Sequence, residues 1–159
     1  MAENSASDVY RGPIIDAHHH VWDLELDRHP WLRPGAKVPH RYGDYESIKH
    51  DYLPADLLAD VAGQNVVATV YMEAEWDPAD PLGETAWVAR QRESSGVPGA
   101  MAAQAWLDAP DARQVLAAQA AHPFVRSIRH KPGGARSQQE AKSGLRSLMS
   151  DERWEAGYA

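Results

Sequence analysis

The sequence predicts an α/β domain whose strands run parallel. Two observations support this fold class. Short apolar runs alternate four times with segments of helical pattern, and parallel strands need such crossover helices between them. The second run, residues 65–73, is apolar on both faces, which is typical of a buried parallel strand. Two architectures fit: an open doubly wound sheet, or half of an eight-stranded barrel, which takes about 250 residues when complete.

The first unit contains an unusually long connection. Residues 1–12 are small and polar, and we expect a flexible tail there, followed by one domain over residues 13–159. Strand one is predicted at residues 13–20, and helix one runs from near Asp51 to Gly63 with Pro54 in its first turn. Between them lies a segment rich in Pro, His, Tyr and Trp. A loop of this length in a compact domain is usually functional.

The later units have shorter connections. Helix two is predicted at residues 82–93 and strand three at 99–107. Helix three follows Asp108 as its N-cap, with Pro110 just inside. Strand four spans residues 124–130, and a Gly133-Gly134 loop leads to a helical stretch over residues 138–158. These units complete four strand–helix pairs in 159 residues.

Composition excludes several classes of partner and site. The net charge is −7, which argues against nucleic acid and anionic membranes. The absence of cysteine excludes disulfides and thiolate metal sites. No apolar run approaches the ~20 residues that span a bilayer, and no signal peptide is apparent. We therefore expect a cytoplasmic protein.

The richest motif is the run Asp16-Ala17-His18-His19-His20 at the end of strand one. Side chains alternate along a strand, so Asp16, His18 and His20 share one face. Two imidazoles on one face can bind the same metal ion, or clamp a substrate carboxylate or carbonyl. Asp16 could orient one of these rings from behind, or cap a nearby backbone amide. His19 points to the other face and is expected to be structural.

Several segments occur in the order found in a known family. They are residues 14–23 (IIDAHHHVWD), 28–32 (RHPWL), 70–81 (VYMEAEWDPADP), 84–87 (ETAW) and 127–130 (SIRH). Together they resemble the amidohydrolase-2 group of the metal-dependent hydrolase superfamily, in particular its lactonases. The resemblance extends over residues 13–159 and implies a TIM-barrel fold, of which this chain would be the first four (β/α) units of eight.

The resemblance also implies a chemistry. It makes His18 and His20 metal ligands, with Zn²⁺ or Mn²⁺ as the divalent candidates, although some lactonases of this group look metal-independent. The general base would be an Asp on the last strand of the barrel, beyond residue 159. The implied function is a hydrolase that opens a lactone or similar cyclic ester of a carboxylate-bearing small-molecule substrate.

Three further residues are expected to contact substrate at the carboxyl ends of the strands. Arg129 could hold a substrate carboxylate in two hydrogen bonds, or pair with Glu73. Glu73 could bind a substrate hydroxyl, and Trp22 could wall the site directly after the histidines. His130 is expected to face away. Glu84 and Trp87 are expected to supply helix N-terminal charge and core packing.

Two alternatives to the lactonase hypothesis stay open at this point. One is a metal-dependent decarboxylase of the same superfamily. The other is a catalytically incomplete half-barrel. Half a barrel leaves two open strand edges, so we expect this chain either to form a homo-oligomer, to be unstable alone, or to be part of a longer gene product.

Overall fold

The computed structural model describes residues 10–38, 43–131 and 148–159. Most of the predicted N-terminal tail lies outside these ranges, as do the Gly133-Gly134 loop and residues 138–147 of the last predicted helix. Among the described residues, no helix has the combination of length and apolar character that crossing a bilayer requires.

Four strands form one parallel sheet in sequential order, β1-β2-β3-β4. They are β1 (Ile14–His19), β2 (Val66–Met72), β3 (Ala100–Gln104) and β4 (Val125–Arg129), and each neighbouring pair is parallel. A doubly wound sheet reverses its strand order at a switch point, whereas a barrel adds strands in sequence. The sequential order therefore excludes the doubly wound alternative and identifies half of a (β/α)8 barrel.

Helices follow the strands as predicted, with shifted boundaries. They are α1 (Pro54–Asp60), α2 (Gly83–Ser95), α3 (Ala112–Ala120) and α4 (Glu152–Tyr158). The prediction of Asp108 as the N-cap of α3 was wrong. The N–H of Ala109 bonds to the Trp106 carbonyl and closes a separate turn, so α3 begins after Asp111.

The hydrophobic core lies between the sheet and the helices. Tyr71 and Met101 project from the strands and are fully buried, and Trp87 and Val88 of α2 cover them. Because side chains alternate along a strand, the neighbouring positions of β2 and β3 face the opposite side of the sheet, which is the inside of a barrel. This packing holds the strands so that their carboxyl ends lie together.

Candidate functional site

His18 and His20, which the sequence places on one face, lie close together at the carboxyl end of β1. Nε2 of His18 lies 3.2 Å from Nε2 of His20. Their ring centroids are 5.0 Å apart with the planes at 79°. His18 is exposed and His20 is half-buried, so the pair can be reached from the barrel mouth.

The His20 ring is held by a backbone group of the neighbouring strand. Its Nδ1 lies 2.8 Å from the carbonyl oxygen of Met72. A carbonyl only accepts, so Nδ1 of His20 carries the proton, and its Nε2 lone pair accepts a hydrogen bond from the Nε2–H of His18. Burial lowers the pKa of His20 to about 4, so the ring is neutral at pH 7. Sequence reasoning missed this contact, because a main-chain carbonyl carries no residue signature.

The pair fits part of a metal site. Zn–N bonds of about 2.0–2.1 Å at a tetrahedral angle place two nitrogens about 3.3 Å apart, close to the 3.2 Å observed. Metal-binding histidines commonly donate their second ring N–H to a carbonyl, as His20 does. Across residues 10–38, 43–131 and 148–159, no three His, Cys, Asp or Glu side chains converge for a metal ion. The described chain therefore offers two donors of such a site.

Asp16 and His19, which flank His18, make contacts of a structural kind. Oδ1 of Asp16 accepts a hydrogen bond from the backbone N–H of His18 at 3.1 Å, which is the backbone-capping alternative. His19 is buried, and its ring packs edge-on against Tyr71 at 5.8 Å. Burial lowers the pKa of His19. The alternation predicted for β1 thus separates the exposed His18 from the buried His19.

Two adjoining cavities open at the carboxyl ends of the strands. The histidine cavity, of about 310 Å³, is lined by His20 and Trp22. The arginine cavity, of about 290 Å³, is lined by Glu73 and Arg129. Both cavities share Trp31, Glu75 and Lys131. Two neighbouring cavities are therefore lined by four of the predicted site residues, His20, Trp22, Glu73 and Arg129.

Aromatic side chains of the long first loop form a fixed wall of the histidine cavity. The indole N–H of Trp22 donates to the His50 carbonyl at 2.7 Å, and that of Trp31 donates to the Ala74 carbonyl at 2.8 Å. The two rings meet edge-on at 5.6 Å, and Trp31 also contacts Tyr45. Since backbone groups bind the polar tips of both indoles, their rings present apolar surface to the cavity.

Arg129 reaches across β3 to Glu73 at the end of β2. Its Nε lies 3.5 Å from Oε1 of Glu73, and its Nη1 donates to the Glu73 carbonyl at 3.4 Å. Burial raises the pKa of Glu73, although the N–H of Glu75 and the charges of Lys131 and Arg129 oppose that rise. A substrate carboxylate at Arg129 would therefore compete with Glu73.

Glu75, Lys131 and His130 are among the cavity-lining residues that were not predicted as site residues. Glu75 has a left-handed backbone (φ 56°) and forms an ion pair with Lys131 where the two cavities meet. His130, predicted to face away, lines the arginine cavity; its Nδ1 accepts from the Leu107 N–H at 3.1 Å. The only available sequence signal was position: His130 directly follows Arg129, Lys131 directly follows the predicted end of strand four, and Glu75 lies two residues after Glu73.

Comparisons with known proteins place this geometry in context. No protein-family model matches the chain. Uncharacterized protein y4mH of Sinorhizobium fredii (strain NBRC 101917 / NGR234) is 39% identical over 116 residues, which are 73% of this chain and 39% of that protein. The chain spans about two fifths of the length of this relative.

Solved structures show the same fold. Two crystal structures of an amidohydrolase from Burkholderia multivorans, one with bound Zn and one with bound HEPES, match 90% of this chain with TM-scores of 0.59 and 0.61. Their sequence identities are 21% and 20%, and this chain covers 43% and 42% of them. The likeness confirms the half-barrel fold.

Proposed function

We propose that this chain is the N-terminal part of a hydrolase of the amidohydrolase-related family, which opens a lactone or similar cyclic ester of a carboxylate-bearing small molecule. The observation that carries the proposal is the 3.2 Å approach of the His18 and His20 Nε2 atoms. It lies at the carboxyl end of a barrel strand, where the active sites of this fold are found. The Zn bound in the Burkholderia multivorans amidohydrolase supports a divalent metal at this pair.

Each part of the described site has a role in this reaction. When bound, a divalent metal would supply Lewis-acid polarisation of the ester carbonyl and a more acidic water. His18 and His20 would hold it, and His20 needs no deprotonation at neutral pH because its pKa is about 4. Trp22 and Trp31 would exclude water from the ring of the ester. Arg129 would bind the substrate carboxylate in place of Glu73.

The general base implied by the family resemblance is an Asp on the last barrel strand, which this sequence does not include. We therefore propose that turnover requires the remaining strands of a complete barrel. A second function, metal binding without turnover, is favoured by the two-donor site of the described residues. Whether a second copy of the chain completes the barrel also stays a prediction.

Metal content and lactone hydrolysis measured together test the proposal. The purified chain is compared with His18→Ala/His20→Ala, and with His50→Ala as a control at an exposed histidine. We expect zinc by mass spectrometry in the wild type and the control, and its loss in the double variant. Turnover of acidic lactones would support the hydrolase and would show that copies of the chain together supply the missing strands, whereas metal without turnover would support the incomplete site. Equal zinc in all three proteins would refute the ligand assignment.

A further inference from the structure

A buried carboxylate of α2 lies directly behind the site. The Glu84 side chain is 0% exposed. Its Oε1 accepts a hydrogen bond from the backbone N–H of Ala74 at 2.7 Å and one from the hydroxyl of Tyr71 at 2.8 Å. Glu84 does lie in the first turn of α2. The expectation that Glu84 only supplies charge to the helix terminus is nevertheless incomplete. Its side chain bonds to Tyr71 and Ala74 at the end of β2.

The segment that Glu84 binds carries much of the site. Residues 72–75 contribute the Met72 carbonyl that holds His20 and the Ala74 carbonyl that holds Trp31. They also contribute the Glu73 and Glu75 side chains that line the cavities. The hydrogen bond from the Ala74 N–H to Glu84 therefore holds the short segment from which these four groups project, together with the bond from the Glu73 N–H to the Ala102 carbonyl.

The same carboxylate also approaches the end of β1 through Tyr71. The Tyr71 hydroxyl lies 3.3 Å from the carbonyl oxygen of Val21, directly after His20. The ring of Tyr71 packs edge-on against both His19 and His20, with centroids 5.8 and 6.3 Å away. Glu84 is thus connected to both strands that bear on the histidine pair.

We infer that Glu84 is a positioning residue of this site: it holds the carboxyl end of β2 so that His20 presents Nε2 and Trp31 forms the cavity wall. Two observations indicate that burying this acid is unfavourable. Oε2 of Glu84 has no hydrogen-bond partner among the described residues, and burial raises the pKa of Glu84 to about 8. Glutamine keeps an oxygen acceptor in place of Oε1, so it is a close substitute for Glu84. The inference rests on the proposed function only for the identity of the site, because the geometry is independent of substrate.

Nuclear magnetic resonance of the 159-residue chain tests the inference without metal or substrate. Long-range proton–nitrogen spectra report the tautomer of His20, and hydrogen exchange reports the bond from Trp31 to Ala74. We expect Glu84→Gln to keep the Nδ1–H tautomer and the slow indole exchange of the wild type. Glu84→Ala should lose the single tautomer and exchange the Trp31 indole proton about tenfold faster or more.

Thr85→Val is the matched control, because Thr85 is equally buried on α2 but bonds to Gln119 of α3. It should leave both signals unchanged even where it lowers stability. If Glu84→Ala does not fold, Tyr71→Phe decides, since it removes one of the two bonds and keeps the ring; we expect partial loss of both signals. Wild-type signals in a folded Glu84→Ala, or in Tyr71→Phe when Glu84→Ala fails to fold, would overturn the inference. Failure of the metal or lactone assays would leave these results unaffected.

Discussion

The carboxyl ends of β1 and β4 differ in what they leave available to a ligand. At the end of β1, His20 is anchored by a carbonyl and turns its Nε2 lone pair toward His18. At the end of β4, Arg129 and Lys131 already face Glu73 and Glu75. The first end holds two imidazoles joined by a neutral hydrogen bond, whose shared proton a metal could replace, whereas the second presents charges that the protein has largely neutralised.

The difference follows from the cost of burying charge. An imidazole avoids this cost by staying neutral, as the lowered pKa of His20 indicates. A guanidinium cannot lose its proton in a protein, so a partly buried arginine needs an anion. Metal binding at the β1 end would therefore replace a hydrogen bond between neutral groups, whereas carboxylate binding at the β4 end would replace an ion pair.

The largest effect is expected from removing one imidazole at the end of β1, which should weaken metal binding there and leave the β4 end unchanged. We expect His20→Ala to weaken Zn²⁺ binding by more than the roughly 10- to 100-fold that typically follows loss of a group behind a ligand. Arg129→Met should change the Zn²⁺ affinity by less than about twofold relative to the wild type. Competition with a zinc-chelating dye measures both. Similar losses in the two variants would show that the histidine pair is not the metal site.

The neutrality of the imidazoles near the first end can be tested through pH. His29 is 3% exposed and packs edge-on against Trp76, and burial lowers its pKa from 6.5 to about 4. Between these pH values the unfolded chain binds a proton that the folded ring does not. The free energy of unfolding therefore decreases as the pH falls through this window.

We expect His29→Leu to remove up to about 3 kcal/mol of this pH dependence. Urea unfolding of both proteins at pH 7 and pH 4.5 measures the change. His20, with a similar pKa, keeps its own contribution in the variant. An unchanged difference between the two pH values would mean that His29 is protonated in the folded state.

Removing the cation of the Arg129–Glu73 ion pair at the end of β4 should have a smaller effect, on the free energy of unfolding. Arg129→Met leaves the Glu73 carboxylate buried without its cation, and we expect a loss of about 1–3 kcal/mol in the free energy of unfolding at pH 7. The raised pKa of Glu73 limits the loss, because protonation is available. Adding Glu73→Gln should recover much of it. A coupling energy near zero in this double-mutant cycle would show that Arg129 does not depend on Glu73.

The smallest effect is expected where the two cavities meet. Lys131 and Glu75 each have side chains that are 26% exposed, so water and salt screen their attraction. Lys131→Met should lower stability by less than about 1 kcal/mol, and the difference should shrink further in 0.5 M salt. A larger, salt-independent loss would assign the lysine a buried structural role.

The local features that the sequence predicted correctly share one property: they depend on residues close together in the chain. Alternation along β1 predicts that His18 and His20 share a face and that His19 lies opposite, and the structure has this arrangement. Pro54 predicts the first turn of α1. The predicted start of α3 was wrong, because a competing turn at Ala109, rather than the capping tendency of Asp108, determines where the helix begins.

Contacts between distant segments were decided only by the tertiary structure. The sheet order separates a half-barrel from a doubly wound sheet, and both have the same local pattern. The Met72 carbonyl that orients His20 lies 52 residues away in sequence, and the Glu73 that pairs with Arg129 lies 56 away. The sequence by itself determined which side chains could perform chemistry at the strand ends. Packing of β1 through β4 on the helices determined which of them remain available, because burial and partners decide whether a group stays neutral, pairs internally or faces a ligand.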